Sequence, residues 1–144
     1  KYALASNGRL TSKIDYFTIK ADGKRIAVDS ELGNVMATLK GTDPTDNRVL
    51  IISGHLDSRA SDVMDTKSDA PGANDDGSGV ACVMELTRIM SQREFPFTLI
   101  FVAVVVACFV VKVGDVLRIV HRVIKDNSTV LAVIYIQLWE VGLQ

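Results

Sequence analysis

The segment Gly54-His55-Leu56-Asp57-Ser58 places an imidazole and a carboxylate two positions apart, directly after an apolar run. Imidazole nitrogen is a common zinc ligand, and a neighbouring carboxylate can orient the ring or hold a reacting group. Side chains two positions apart on an extended chain point the same way, so His55 and Asp57 should share a face. On its own the pair also fits an ordinary packed or surface histidine, and that alternative stays open.

The second candidate is the segment Ala70-Pro71-Gly72-Ala73-Asn74-Asp75-Asp76-Gly77-Ser78-Gly79, which sets two adjacent carboxylates before a predicted helix. One alternative is a helix cap, made by Asp76 or Asn74. A cap accounts for one carboxylate, whereas a second one in the same turn would be repelled unless a cation were present. The spacing differs from the alternating ligands of an EF-hand loop. We therefore treat Asp75 and His55 as candidate ligands of a divalent cation.

Several short strands are predicted around these segments. Ile14–Lys20 and Val35–Lys40 have strand composition and are separated by a turn at residues 21–24. The apolar run Val49–Ser53 is typical of a strand that is covered on both faces. It delivers His55 to the carboxyl end of a strand, where open α/β sheets bind their ligands. Residues 57–76 have no periodic pattern and are predicted to form a loop.

A helix is predicted from Ser78 up to Pro96, because apolar and small residues recur there at helical spacing. The residues of this stripe are Val80, Val83, Met84, Thr87 and Met90. Phe97–Val106 follows as an apolar strand, residues 113–124 carry a second helical stripe, and Val130–Leu138 is predicted to be another strand. This alternation predicts an α/β fold, with three α/β/α layers around a mostly parallel or mixed sheet.

Composition argues against several classes of protein. The 16 basic and 17 acidic residues give a net charge of −1, and no basic stripe is present, so we predict no nucleic-acid partner. Cys82 and Cys108 lie in apolar stretches and are predicted to be small core residues. The uncharged run Phe95–Val111 could be read as a membrane span, but its β-branched residues and Pro96 make a span the weaker interpretation. The sequence Asn127-Ser128-Thr129 fits the glycosylation acceptor pattern, which is short and common.

Three segments of this chain, Asn34–Gly41, Ser53–Ser58 and Ala70–Gly79, together resemble peptidase family M28, the co-catalytic zinc aminopeptidases and their relatives. The resemblance covers about half of the chain. It implies hydrolysis of N-terminal peptide bonds in peptide or aminoacyl substrates by two zinc ions, and it slightly favours a secreted or periplasmic location. It also implies that His55 binds one zinc and that Asp75 bridges both across a cis peptide to Asp76. Asp57 would be the catalytic-site carboxylate that orients His55.

The chain departs from the family pattern after the strand Thr98–Val104. The pattern requires Gly-Glu-Glu there, with a general base and a zinc ligand, but this chain reads Val105-Val106-Ala107-Cys108. The family also has a later acidic ligand, for which Gln137 and Glu140 are the nearest candidates, and a final histidine. His121 matches no family motif.

We therefore expect residues 1–104 to form the N-terminal part of a zinc aminopeptidase-like domain. Residues 105–144 are expected to form a divergent tail with a helix and a strand. A catalytic zinc usually has three protein ligands, and a general base contributes about 10²–10⁴ in rate. The chain on its own is therefore predicted to be inactive or nearly so. The main alternative is a non-catalytic α/β binding module on the same scaffold.

Overall fold

A computed structural model describes residues 7–105 and, as backbone, the strand at residues 129–135. Its strands are β1 (Leu10–Ile19), β2 (Ser30–Leu39), β3 (Arg48–His55), β4 (Thr98–Val104) and β5 (Thr129–Tyr135), and its regular helix is α1 (Ser78–Met90). The five strands form one sheet in the order β1-β2-β4-β3-β5. β2 pairs antiparallel with both β1 and β4, whereas β3 pairs parallel with both β4 and β5. The predicted α/β fold with a mixed sheet is confirmed.

The first two strands are longer than their composition predicts. β1 and β2 pair continuously from Leu10 opposite Leu39 to Ile19 opposite Ser30. Polar residues such as Asn34 and Glu31 are therefore drawn into β2 by cross-strand pairing, although their own strand propensity is low. The connection between the two strands spans residues 20–29 and contains the predicted turn.

Helix α1 ends at Met90, several residues before Pro96. The Ser91 N–H donates to the Thr87 carbonyl and the Gln92 N–H to the Ile89 carbonyl, which closes the last turn. The predicted stripe is correct for Val83 and Thr87, which are buried, but wrong for Met84, which is 57% exposed. Helical spacing places Met84 next to Val83 on the predicted apolar face. The part of α1 that contacts the sheet covers fewer residues than this face, so Met84 lies outside the contact.

The sheet has a buried apolar cluster on each face. Helix α1 contributes Val83 to one cluster, which includes Ile52 and Phe101, while Ile51 and Val102 belong to the other. Most of β3 is buried, as its unbroken apolar run predicts. The sheet is therefore covered on both faces around the end of β3. The second predicted helical stripe, at residues 113–124, lies outside the described residues.

Two further predictions concern apolar segments. Within Phe95–Val111, residues 98–104 form an inner strand between β2 and β3. No helix in the part of the chain that the structure describes is long and apolar enough to cross a membrane. Cys82 is a half-buried free thiol on α1 rather than a core residue. Cys108 lies outside the described residues.

Candidate metal centre

His55 is the last residue of β3, and its side chain is 9% exposed. The neighbouring parallel strand ends beside it, since His55 is in register with Val104 and the Leu56 N–H donates to the Val104 carbonyl at 2.7 Å. The carboxyl ends of β3 and β4 therefore meet at one edge of the sheet. We call this edge, with the turn that faces it, the rim: His55–Asp57, Ala73–Gly77 and Val104–Val105.

The turn Ala73–Gly77 brings two carboxylates to the rim just before α1. Gly72 enters it with φ 79, a left-handed conformation that suits glycine, and the Gly77 N–H donates to the Gly72 carbonyl at 2.9 Å. The peptide between Asp75 and Asp76 is cis. The two carboxylates have opposite surroundings, because the Asp75 side chain is 74% exposed while Asp76 is 1% exposed.

Asp76 joins the two segments of the rim. One of its carboxylate oxygens accepts the His55 N–H at 2.9 Å, and the other accepts the Gly79 N–H of α1 at 3.1 Å. A Cβ on Gly54 would lie 2.9 Å from the Gly79 carbonyl carbon and 3.1 Å from Asp76 Oδ2, so this close approach requires glycine. The capping alternative therefore applies to Asp76, and it leaves Asp75 for another role.

His55 and Asp75 converge on one point. His55 Nε2 lies 2.8 Å from Asp75 Oδ1, and Nδ1 lies 2.9 Å from the Asp57 carbonyl oxygen. Both ring nitrogens thus face acceptors, whereas a neutral imidazole has a single N–H. The carbonyl of Asp57 satisfies one nitrogen as an acceptor of Nδ1–H. The other nitrogen, Nε2, lies at hydrogen-bond distance from a carboxylate oxygen, and both of these atoms are of types that bind zinc.

Asp57 reaches His55 through its backbone. Its carbonyl is at hydrogen-bond distance from Nδ1, while its carboxylate Oδ1 is 3.7 Å away. The orienting contact expected of its carboxylate is thus made by the carbonyl, and the carboxylate lies beside it. Asp57 has left the strand, because β3 ends at His55, so strict alternation no longer fixes the direction of its side chain.

Other predicted ligands are not brought to this point by the described residues. His121, Gln137 and Glu140 lie outside them. Within residues 7–105, the structure forms no group of three or more His, Cys, Asp or Glu side chains that could hold a metal ion. The candidate ligands that the described residues bring together are His55 and Asp75.

Sequence analysis missed a role for Asn34. This β2 residue is 4% exposed, and its side-chain oxygen accepts the Val105 N–H at 2.8 Å. Asn34 therefore holds the backbone directly after β4, where that strand reaches the rim. A polar residue inside a strand pattern was the available signal, because a buried amide needs a hydrogen-bond partner.

The mixed sheet, with a histidine and an acidic turn at its carboxyl-end edge, defines an α/β protein whose site lies at the strand ends. Residues 34–105 match the family model described as Peptidase family M28. This match spans half of the chain. The chain therefore belongs to peptidase family M28. A probable zinc metalloprotease of Pyricularia oryzae is 46% identical over 103 residues, which are 72% of this chain and 20% of that relative. The chain thus spans about a fifth of that relative's length.

Solved structures share the fold. The Legionella pneumophila LapA aminopeptidase matches with a TM-score of 0.54 and 19% identity, over 93% of this chain and 32% of that one. The Fimbriiglobus ruber glutaminyl cyclase matches with a TM-score of 0.52 and 21% identity, over 72% of this chain and 35% of that one. At these identities the likeness concerns the architecture of the sheet.

Proposed function

We propose that the chain is part of a zinc-dependent metallopeptidase of the aminopeptidase type and that His55 and Asp75 are zinc ligands. The observation that carries this proposal is the 2.8 Å approach of His55 Nε2 to Asp75 Oδ1, from two separate segments of the rim. Membership of the peptidase family supports hydrolysis of peptide bonds. The name of the Pyricularia oryzae relative, a probable zinc metalloprotease, supports zinc as the metal.

The donor pair fits zinc in its chemistry. Imidazole nitrogen and carboxylate oxygen are both usual zinc ligands. With Nδ1–H donated to the Asp57 carbonyl, Nε2 would be the ring nitrogen available to a metal beside Asp75. A metal-bound histidine commonly donates its other ring N–H to an acceptor in this way. The exposed Asp75 carboxylate has two oxygens and would be able to hold a second ion, as the family resemblance implies.

Each rim residue then has a distinct part in the proposed reaction. Zinc, when bound, supplies Lewis-acid polarisation of the substrate carbonyl and a water molecule of lowered pKa. His55 and Asp75 hold the cation, and the Asp57 carbonyl orients the imidazole. Asp76 touches no substrate in this scheme, but it fixes the distance between the two ligand-bearing segments through the His55 and Gly79 amides. The substrate is a peptide or aminoacyl compound with a free amino terminus.

We further propose that this chain alone lacks peptidase activity. The rim position next to His55 is occupied by Val104 and Val105, which can neither bind zinc nor transfer a proton. The described residues supply two candidate ligands, fewer than the three that a catalytic zinc usually has. A general base contributes about 10²–10⁴ in rate. Hydrolysis of an aminoacyl anilide at the rate of a complete family enzyme would contradict this part of the proposal.

Zinc affinity tests the ligand assignment without relying on activity. We expect the chain to bind zinc, and Asp75→Asn to weaken binding by at least about tenfold because one anionic ligand oxygen becomes a neutral amide. Competition with a chromogenic chelator measures the affinity. The matched control is Asp69→Asn, which removes the same charge from an exposed position of the preceding loop. Equal affinity of Asp75→Asn and the unaltered chain would refute the assignment.

A non-catalytic binding module is the second candidate, and one observation favours it. The two hydrogen bonds that Asp76 accepts join the segments of the rim through protein groups alone. A binding module should unfold cooperatively at the same temperature with and without a strong chelator, and should bind no zinc. Thermal unfolding followed by circular dichroism separates the two candidates, because a zinc site raises the unfolding temperature as zinc is added.

A further inference from the structure

The chain between the two proposed zinc ligands forms a closed surface loop. His55 and Asp75 are 20 positions apart in the sequence. Between them, the Ser58 hydroxyl donates to the Ala70 carbonyl at 2.6 Å and joins residues that are 12 positions apart. Residues 59–69 therefore begin and end at one place next to the rim, as the ends of an Ω-loop do. The Ser58 hydroxyl thus connects the segment that carries His55 to the segment that leads to Asp75.

The loop is also ordered by hydrogen bonds among its own residues. Asp62 Oδ1 accepts the Met64 N–H at 2.9 Å. Asp65 Oδ1 accepts the N–H groups of Lys67 and Ser68 at 2.8 Å and 3.1 Å. Each of these bonds stays inside the loop, whereas the hydrogen bond of Ser58 joins the two ends of the loop.

Gly72 makes a second contact between the same two segments. It has φ 79 and directly precedes the turn Ala73–Gly77. A Cβ added to Gly72 would collide with the Cβ of Ser58 and would lie 3.1 Å from the Asp75 carbonyl oxygen. The Ser58 side chain is therefore packed against the backbone from which the Asp75 turn begins.

We infer that Ser58 is a positioning residue for the metal site, an inference that rests on the proposed function. Asp76 holds the acidic turn at the end next to α1, where it accepts the His55 N–H. Ser58 holds the beginning of the same turn through the Ala70 carbonyl. Asp75 lies between these two points, so backbone that is fixed on both sides presents its exposed carboxylate to His55 Nε2.

The entropy of loop closure gives the physical reason. Two ligands on a flexible loop lose chain entropy when they hold one ion, and this cost rises with the length of the loop. The Ser58–Ala70 hydrogen bond removes part of that cost before the metal binds. Because the bond is on the surface, where water competes for it, its effect should be smaller than that of a group bonded directly to a ligand, whose loss typically costs about 10–100-fold in metal affinity.

The zinc affinity of three serine variants tests the inference. Ser58→Ala removes the hydroxyl but keeps the Cβ that packs on Gly72, so we expect zinc to bind about three- to tenfold more weakly than to the unaltered chain. Ser58→Thr keeps a hydroxyl and should bind zinc within about twofold of the unaltered chain. Ser61→Ala is the matched control, because it removes a hydroxyl from an exposed position inside the loop and should leave the affinity unchanged. Competition with a chromogenic chelator measures each affinity, and circular dichroism verifies that each variant is folded.

Hydrogen exchange tests the same role without metal. The Gly77 N–H donates to the Gly72 carbonyl at 2.9 Å, so its exchange reports on the order of the acidic turn. In the metal-free chain, Ser58→Ala should make the Gly77 amide exchange about threefold faster or more, whereas Ser61→Ala should not change its rate. Equal acceleration throughout β4 would indicate a general loss of stability and would overturn the inference.

The results separate this inference from the proposed function. A zinc affinity that falls in Asp75→Asn but is unchanged in Ser58→Ala would overturn the inference and leave the ligand assignment intact. A Ser58→Thr variant that binds zinc as weakly as Ser58→Ala would overturn it as well. Equal affinity of Asp75→Asn and the unaltered chain would instead contradict the ligand assignment, and the exchange rate of the Gly77 amide would then decide whether Ser58 holds the turn.

Discussion

At the rim and in the connection between β1 and β2, an aspartate carboxylate accepts backbone N–H groups, but the carboxylate is buried at the rim and exposed in the connection. At the rim, the Asp76 carboxylate accepts two backbone N–H groups while being 1% exposed. In the connection, one oxygen of Asp22 accepts the N–H groups of Lys24, Arg25 and Ile26 at 2.7–2.9 Å, but Asp22 is exposed. The number of hydrogen bonds is therefore a poor guide to the contribution of either carboxylate. Burial determines how much each carboxylate contributes to stability, because water can replace the acceptor at Asp22 but not at Asp76.

The difference in burial also distinguishes residues that join segments of the chain from residues that are accessible to a ligand. Asp75 and Asp76 are adjacent in sequence, yet the Asp75 side chain is 74% exposed while Asp76 is only 1% exposed. The buried member binds two segments together, and the exposed member meets His55. The rim thus combines a fixed buried anchor with an accessible candidate ligand, an arrangement that suits a preorganised site.

The largest expected effect is the loss of the buried acceptor. Asp76→Ala leaves the His55 and Gly79 amides without a partner inside the protein, and each unsatisfied buried donor costs about 1–3 kcal/mol. We expect the free energy of unfolding to fall by about 2–4 kcal/mol. Urea denaturation followed by circular dichroism measures this change.

Asp75→Ala is the matched control for that prediction. Its side chain is mostly exposed, so we expect a loss below about 1 kcal/mol. If both variants lost the same stability, the contrast between an anchor and a ligand would be wrong. A loss at Asp75 larger than that at Asp76 would reverse it.

A smaller effect is expected at Asn34, which connects β2 to the rim. Asn34→Ala removes the acceptor of the Val105 N–H, and we expect a loss of about 1–3 kcal/mol in unfolding free energy. Hydrogen exchange at the Val105 amide should become faster in the same variant. Glu31→Ala, at an exposed position of the same strand, should change stability by less than about 0.5 kcal/mol. An unchanged exchange rate at Val105 would show that Asn34 does not hold the end of β4.

Much of the sheet could be predicted because its strands have a strong local signal. The apolar run at Val49–Ser53 predicts a buried strand wherever it lies, and Phe97–Val106 predicts β4 to within a few residues. The ends of β1 and β2 could not be predicted, because their polar residues have low strand propensity. These residues are held in the strands by the antiparallel pairing of β1 with β2. Pairing is a non-local property that one sequence does not display.

Some features of the candidate site could likewise be predicted from the sequence, and others could not. His55 and Asp75 could be selected from residue type, and their approach follows from the convergence of strand ends at one edge. The use of the Asp57 carbonyl on Nδ1 could not be predicted, because it depends on how the chain leaves β3. The double hydrogen bonding of Asp76 could be anticipated only in part, since capping predicts the bond to Gly79 but not the one to His55.

The smallest effect is expected at the exposed carboxylate, and pH reveals it. The backbone N–H groups of Arg25, Ile26 and Lys24 lower the pKa of Asp22 from 3.8 to about 2. A carboxyl group whose pKa is lower in the folded state stabilises the protein above its unfolded pKa. Its contribution is therefore present above about pH 4 and is lost as the pH falls towards about 2.

Asp22→Asn should flatten this part of the pH dependence of stability. Asparagine keeps an acceptor oxygen for the turn but has no charge to titrate, so the unfolding temperature should fall less steeply between pH 4 and pH 2 than in the unaltered chain. Thermal unfolding at a series of pH values, with Asp69→Asn as the control, measures the slope. A slope equal to that of the unaltered chain would mean that the Asp22 hydrogen bonds persist in the unfolded chain. A loss of unfolding free energy in Asp22→Asn at neutral pH that exceeded the loss in Asp76→Ala would contradict the conclusion that burial determines the contribution of each carboxylate.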